Sequence, residues 1–151
     1  MSSANIFDEN KARWTDADGS VFINALTNLS ALAAGDWVLL DAANTSATVD
    51  AVKVSTTTAG EMAVGVAIET IASGAYGTIQ VYGHNTTVKV DGTTTSVAVG
   101  DNLQTGVIAN KAAKFEAVTV KPSNGGGPVG VCLATVASGS DTTFAVFIDP
   151  R

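Results

Sequence analysis

The stretch "VGVAIETIASGAYGTIQV" at residues 64–81 recurs 65 positions later as "VGVCLATVASGSDTTFAV" at residues 129–146. The likeness extends further, because the same shift places "AAGDWVLL" at 33–40 on "AVGDNLQT" at 98–105. A single constant shift that aligns distant segments indicates an internal duplication rather than a chance likeness of two strands. The sequence therefore predicts that one supersecondary unit is present twice.

This duplication organises the chain. We assign the two repeats to residues 21–83 and 86–148, which together form one β-domain over residues 21–151. The total of 151 residues suits a single domain, and a domain of this length buries roughly 70% of its unfolded surface. Residues 1–20 have no counterpart in either repeat. They are predicted to form an N-terminal arm, which is polar and charged apart from isolated large side chains such as Phe7 and Trp14.

Within each repeat the apolar residues recur at every second position. Val64, Val66 and Ile68 alternate with Gly65 and other residues, a pattern typical of strands with one face turned inward. The triplet "ASG" supplies a turn in each repeat, at residues 72–74 and 137–139. Further strands are predicted where Val and Thr are frequent, at residues 37–41, 51–55, 86–90 and 115–120.

The stretch "VFINALTNLSAL" at residues 21–32 is ambiguous. Phe22, Leu26 and Leu29 have helical spacing, and Gly35 could end a helix. The shift of 65 places the start of this stretch on "TVKV" and its neighbours at 86–90, which have no helical character, and this favours a strand. We therefore predict an all-β fold, an internally duplicated β-barrel or sandwich with an extended N-terminal arm.

Isolated candidates for a metal site or a reactive thiol are weak. His84 is the only histidine and has no second His or Cys near it in sequence, so we expect a structural or exposed residue. Cys132 falls on Ala67 under the shift, which predicts a small buried core residue. "TDADGS" at residues 15–20 resembles the start of a calcium loop, but Thr27 stands where the twelfth-position Glu would be needed. A plain turn is the favoured interpretation.

Catalytic motifs are equally weak. The Gly-rich "SNGGGP" at 123–128 has no Lys-Ser or Lys-Thr after it, so it indicates a hairpin tip rather than a phosphate cradle. We expect Asp36 and Asp101, which each follow a Gly, to cap their own turns. The sequence favours a protein that is not an enzyme and uses no cofactor and no metal. An enzyme that uses clustered carboxylates remains the alternative, and the residues to inspect for it are Asp36, Asp41, Asp50, Asp101 and the imidazole of His84.

The charge pattern restricts the partners. The formal net charge is −6 and the eight basic residues are scattered, whereas a phosphate backbone requires clustered Lys and Arg. No apolar run approaches the roughly 20 residues of a membrane span. The first residues do not have the form of a secretory signal. We expect neither direct nucleic-acid binding nor a membrane association.

Four segments carry a resemblance to a known family: "AAGDWVLLD" at 33–41, "AVGVAIETIASGAYGTIQVYG" at 63–83, "VAVGDNLQTG" at 97–106 and "PVGVCLATVASGSDTTFAVFI" at 128–148. Their Gly-Asp turns before a strand and their Val-Gly strands resemble the head decoration, or cement, proteins of tailed bacteriophages and are similar to the lambda type. The resemblance implies a non-enzymatic protein that binds the outside of an assembled capsid, commonly as a trimer. It also implies that the major capsid protein is the partner and that the protein is made in the host cytoplasm.

Members of the lambda type look shorter and less clearly duplicated than this chain. The alternative is another virion or surface component, such as a head fibre base, a tail part or a glycan-binding module. For attachment we single out the arm, with Phe7, Arg13 and Trp14 as candidate capsid-binding residues. Two interpretations stay open: an extended arm that adds to a neighbouring sheet, or large side chains that pack on the barrel of the same chain. The first predicts that deletion of residues 1–20 leaves a folded protein with weaker capsid attachment.

Overall fold

A computed structural model of the chain describes residues 13–27, 30–40, 52–56, 63–93, 95–105, 108–115, 127–139 and 141–150. Within these residues every regular element is a strand, which confirms the prediction of an all-β fold. The strands are β1 (Arg13–Thr15), β2 (Val21–Thr27), β3 (Trp37–Leu40), β4 (Val52–Thr56), β5 (Ala63–Ala67), β6 (Tyr76–Asp91), β7 (Asn102–Thr105), β8 (Ala112–Lys114), β9 (Gly130–Cys132) and β10 (Asp141–Ile148). In the described part of the chain, no helix is long and apolar enough to cross a membrane.

The strands close into two five-membered barrels that share β6. In the first barrel the order is β2, β4, β3, β5 and the first half of β6, which returns to β2. In the second barrel the order is the second half of β6, then β10, β9, β7 and β8, which returns to β6. The long strand therefore donates and accepts ladder hydrogen bonds in both barrels, and closure pairs strand edges that would otherwise be exposed.

The two barrels repeat each other in detail under the shift of 65. The bridge between Leu32 and Ile71 recurs between Val97 and Val136. The Gly35 N–H donates to the Ala67 carbonyl over 2.8 Å, and the equivalent bond from Gly100 to Cys132 has the same length. The stretch at residues 21–27, for which helix and strand both had support, forms β2, so the strand prediction is confirmed.

One strand of the second repeat does not lie 65 residues after its equivalent in the first repeat. Ala25 lies opposite Val52 in the first barrel, whereas Val90 lies opposite Ala112 in the second. The equivalent of β4 is thus β8, which begins 60 rather than 65 residues later, because the connection after β7 is five residues shorter than the one after β3. Of the strand predicted at residues 115–120 from their Val and Thr content, Phe115 lies just beyond β8, and residues 116–120 lie outside the described residues.

Each barrel has a core of small and medium apolar side chains. The first core contains the buried residues Ala25, Leu32, Val38, Ala67, Ile71 and Ile79. The second contains the equivalents of most of these together with further residues, namely Val88, Val90, Val97, Leu103, Ala112, Val129, Cys132, Val136, Val146 and Ile148. The side chains at matched positions differ in size, since Ala25 corresponds to the larger Val90 and Leu32 to the smaller Val97. The same topology is therefore packed twice with different side chains.

The barrels are joined by apolar side chains that leave the first repeat and enter the second core. Trp37, Ala63 and Val66 belong to β3 and β5 of the first barrel, yet they pack in the cluster of the second barrel. Their strand neighbours Val38 and Ala67 point into the first core. Strands β3 and β5 thus contribute side chains to both apolar clusters, one cluster on each face.

Gly35 sits at the contact between the barrels. Its φ is +86°, and a Cβ built at this position would lie 2.3 Å from the carbonyl oxygen of Thr87 in β6. The Gly35 carbonyl accepts a hydrogen bond from the Lys89 N–H at 3.0 Å. Gly100, its equivalent, has a φ of +90°, but no atom of the described residues lies within 4 Å of such a Cβ. The turn conformation is common to both repeats, whereas the close approach belongs to the first alone.

The passage of β6 from one barrel to the other is held by a buried amide. Gln80 is 2% exposed, and its Nε2 donates to the carbonyls of Tyr82 (3.3 Å) and His84 (3.1 Å). Its Oε1 accepts from Asn85 Nδ2 at 2.8 Å. Gly83 lies between these partners with a φ of +112°, against the side chain of buried Ser20. The amide thus bonds to the backbone on both sides of the glycine.

Substitution of the two equivalent glycines tests the contact between the barrels. We expect Gly100→Ala to lower the free energy of unfolding by about 1–2 kcal/mol, the cost of a left-handed alanine. Gly35→Ala carries the same backbone cost and adds the clash with Thr87, so we expect a loss larger by about 1–3 kcal/mol. Denaturant unfolding of both variants measures the difference. Equal losses of unfolding free energy in the two variants would contradict a role for the close approach of Gly35 to Thr87.

Substitution of two glutamines tests the junction of β6. We expect Gln80→Met to destabilise the protein by about 1–3 kcal/mol, because three hydrogen bonds are lost at a buried position. Gln104→Met is the matched control, since Gln104 Oε1 is buried without a hydrogen-bond partner among the described residues. Thermal unfolding should show a smaller effect for the control. If Gln104→Met lowers the stability as much as Gln80→Met does, the hydrogen bonds of the Gln80 amide do not stabilise the junction of β6.

Candidate binding surface

The described part of the N-terminal arm packs on its own barrel. Strand β1 pairs antiparallel with β2, with Trp14 opposite Phe22 and Arg13 opposite Ile23. The Trp14 and Phe22 rings are stacked, with centroids 5.6 Å apart and planes at 17°. Trp14 is half-buried and Arg13 is exposed. Of the three residues proposed for capsid binding, Phe7 lies outside the described residues, and the role of the other two in capsid binding stays a prediction.

A tight turn connects β1 to β2, which confirms the turn predicted for "TDADGS". The Gly19 N–H donates to the Asp16 carbonyl at 3.0 Å, and Gly19 has a φ of +85°. The Asp18 carboxylate accepts from the Ser20 N–H (2.9 Å) and from Ser20 Oγ (3.1 Å). The Ser20 N–H, followed by its hydroxyl, lowers the pKa of Asp18. The Asp18 carboxylate therefore stabilises the turn through its hydrogen bonds with Ser20.

The candidate carboxylates of an enzyme are used within their own turns. The Ala33 N–H donates to Asp36 Oδ2 at 2.8 Å, and the Ala98 N–H donates to Asp101 Oδ2 at 2.9 Å. Asp36 also pairs with Lys89 and Asp101 with Lys114. The prediction that both aspartates cap their turns is confirmed. Asp41 and Asp50 lie outside the described residues.

His84 and Cys132 have the places that the sequence predicted. His84 is exposed on β6, opposite Phe147 of β10, and its charge makes a minor contribution to the lowered pKa of Asp18. Cys132 is fully buried, its thiol donates to the Ala134 carbonyl at 3.0 Å, and burial raises its pKa. Among the described residues no group of three His, Cys, Asp or Glu side chains could hold a metal ion.

Large apolar side chains on the outside of the barrels are the remaining candidates for contact with a partner. Tyr82 is exposed and meets Phe147 edge to face, with centroids 5.1 Å apart. Val99 is 62% exposed and Leu133 is 41% exposed. Sequence reasoning missed these residues because period-two alternation separates the two faces of a strand but does not show which outer positions a neighbouring element covers. The other large apolar residues exposed in the described part are Leu40, Ile68, Tyr76 and Ile108.

Comparison with known proteins reveals a likeness of fold. No protein-family model matches the chain, and no curated protein matches it. A crystal structure of the N base of the head fibre protein gp8.5 in bacteriophage phi29 is similar, with a TM-score of 0.55 and 19% sequence identity. The superposition covers 87% of this chain and 98% of that chain. At this identity the likeness concerns the fold, and it extends over both barrels.

The lowered pKa of Asp18 predicts a pH-dependent contribution to stability. Because its pKa is lower in the folded protein than the ordinary 3.8, the carboxylate stabilises the fold above that value and loses this effect as the pH falls through the folded pKa. We expect Asp18→Asn to be less stable than the parent at pH 7, with a gap that narrows below pH 3.8. Unfolding curves from pH 7 to acid measure this gap, and a gap that stays constant would contradict it.

Proposed function

We propose that the protein is a structural component of a tailed-phage virion that binds the outer surface of the assembled capsid. Two observations support this. The fold is similar to the base of a phage head fibre, and the family resemblance read from the sequence concerns phage head proteins as well. The likeness of fold carries the proposal, because it spans nearly the whole of the neighbour's chain. The carboxylates of Asp18, Asp36 and Asp101 serve turns and ion pairs, which agrees with a protein that acts through its surface.

In finer detail, we propose that the protein is a cement protein that contacts the major capsid protein and bridges neighbouring capsid subunits, and that it assembles as a trimer. Weak contacts from each chain suffice in such an assembly, since a trimer engages several capsid subunits at once. Preferential binding to the assembled shell also stabilises the shell by mass action. The net charge of −6 fits a place outside the capsid, away from the packaged nucleic acid.

The second candidate is a head fibre base, and the fold comparison favours it specifically because the similar structure is a fibre base. The two functions differ in their effect on the shell. A cement protein that bridges subunits raises the temperature at which capsids disrupt, whereas a base that only anchors a fibre attaches without this effect. The two functions are distinguished by the temperature at which expanded, undecorated capsids of the cognate phage disrupt. This temperature is measured with and without saturating protein.

Co-sedimentation tests attachment itself. The purified protein should co-sediment saturably with the cognate expanded capsids, and failure to do so would overturn the proposal. Binding to host glycans on an array without affinity for capsids would instead favour the glycan-binding alternative, for which exposed Tyr76 and Tyr82 are the aromatic candidates. The two assays use the same purified protein, so one result is not explained by a difference in folding.

Two variants test the arm. We expect a chain without residues 1–12 to fold, because β1 and its pairing with β2 are retained, and to bind capsids more weakly. We expect the full-length Trp14→Ala variant to bind capsids more weakly than the truncated chain does. A lost aromatic anchor costs about 2 kcal/mol, or about thirtyfold in affinity per subunit. Tyr76→Ala serves as an exposed aromatic control. Unchanged binding in both variants, with unfolding temperatures close to that of the parent, would place the contact on the barrels instead.

A further inference from the structure

Asp91 is a buried carboxylate with one oxygen that no group in the described part of the chain satisfies. It is the last residue of β6 and is 2% exposed. Its Oδ1 accepts from the Thr93 N–H at 2.8 Å and from the Thr93 hydroxyl. Its Oδ2 is buried without a hydrogen-bond partner, and the ion pairs of the described residues do not include it. A buried charge is strongly unfavourable unless a counter-charge compensates it.

Gln104 has a second oxygen of this kind. Its Oε1 is buried and has no hydrogen-bond partner among the residues that the structure describes. Gln104 of β7 lies opposite Ala113 of β8. Strand β8 pairs in parallel with β6 and places Ala112 opposite Val90, so the residues that follow are neighbours as well. A single alanine therefore separates Gln104 from Asp91 across the sheet.

Asp141 joins this row from the other side. It lies opposite Asp91 in the antiparallel pair of β10 and β6. Residues directly opposite each other lie on one face of a sheet, with Cβ atoms about 5 Å apart. Because Val90 belongs to the core of the second barrel, alternation places the row on the face away from that core. The row consists of Gln104, Ala113, Asp91 and Asp141.

The spacing of the row suits an ion held between side chains. Neighbouring strands lie about 4.8 Å apart, so the backbones of Asp91 and Gln104 are about 10 Å apart. Ala113 carries only a methyl group, over which the two longer side chains can approach each other. Oxygen ligands lie about 2.3–2.6 Å from a calcium ion. One ion can therefore contact the unsatisfied oxygens of both residues.

The carboxylates of this row are specific to the second repeat. Under the shift of 65, Asp91 and Asp141 correspond to Leu26 and Tyr76, which also lie opposite each other. The first barrel therefore closes with a pair of largely apolar residues at these two positions. Two like charges directly opposite each other destabilise a sheet. Their presence together in the second repeat points to a positive charge between them.

We propose that Asp91, Asp141 and Gln104 bind a calcium ion. The two aspartates supply the negative charge, and the amide oxygen of Gln104 is a neutral ligand. Calcium takes about six to eight oxygen ligands in flexible geometry and accepts water among them, so three side chains suffice to hold it. The proposal departs from the sequence-based expectation of a protein without a metal. It is independent of capsid attachment, because its test contains no capsid.

Calorimetric titration of the full-length protein with Ca²⁺, after removal of metal with a chelator, tests the site. We expect saturable binding of one ion per chain. We also expect the unfolding temperature to rise with the Ca²⁺ concentration, because an ion that binds the folded state stabilises it by mass action.

Asp91→Asn is the principal variant, since it keeps the size of the side chain and an oxygen for the Thr93 donors. In chelator we expect it to unfold at a higher temperature than the parent, because a buried charge without a counter-charge is removed. In saturating Ca²⁺ we expect the reverse order. The affinity for Ca²⁺ should fall by more than the roughly 10–100-fold lost with a residue that only orients a metal ligand.

Two further variants complete the comparison. Asp16→Asn is the matched control, because it removes the same charge from an exposed carboxylate, and it should leave the affinity for Ca²⁺ unchanged. Gln104→Met should lower the affinity for Ca²⁺ while it changes the stability of the metal-free protein little.

Two results overturn the proposal. The first is the absence of saturable Ca²⁺ binding; if acid then stabilises the metal-free protein, the two aspartates share a proton instead. The second is an affinity for Ca²⁺ that is the same in Asp91→Asn and in the parent, which places the ion elsewhere in the chain. If Asp91→Asn does not fold, an unchanged affinity in both Asp141→Asn and Gln104→Met overturns the proposal.

Discussion

Strand β6 belongs to both barrels, and the hydrogen bonds of its two halves close both rings. Its sixteen residues pass from one barrel to the other at Gly83, where a positive φ and the buried Gln80 amide fix the change of direction. Each barrel is closed by its own half of this strand, so the last strand of the first repeat runs directly into the first strand of the second. The two barrels are therefore joined by one continuous strand.

The two repeats have the same turns but different neighbours. Gly35 and Gly100 adopt the same conformation because each is the glycine of a Gly-Asp turn that precedes a strand, and each aspartate caps the turn in the same way. Trp37 and Asn102 differ because Trp37 packs in the apolar cluster of the second barrel, whereas Asn102 is exposed. A fully buried indole adds apolar area to a shared core, whereas the same group on an exposed face would favour aggregation. The Asp36 carboxylate thus pairs with Lys89 of the other repeat, whereas the Asp101 carboxylate pairs with Lys114 of its own repeat.

The chemistry of the side chains agrees with a function carried by surfaces. Asp18, Asp36 and Asp101 accept backbone hydrogen bonds in turns, and the latter two also pair with lysines. The buried thiol of Cys132 has a raised pKa, which disfavours the reactive thiolate. What the molecule offers to a partner is a set of exposed apolar residues on rigid barrels, together with its N-terminal segment. This agrees with the proposed role on a phage capsid.

The sequence alone determined the all-β class, the duplication, the capped turns and the burial of Cys132, because period-two alternation and a constant shift are local properties of the chain. It also favoured strand over helix at β2, since the second repeat lacked the helical spacing of the first. Only the tertiary structure decided that β6 is shared, that β8 begins five residues early, and that Trp37 leaves its own barrel for the core of the other. The physical reason is that these features depend on which strand edges and outer faces meet in space. The alternation of apolar and polar residues along a strand distinguishes its two faces, but it does not show which element covers each face.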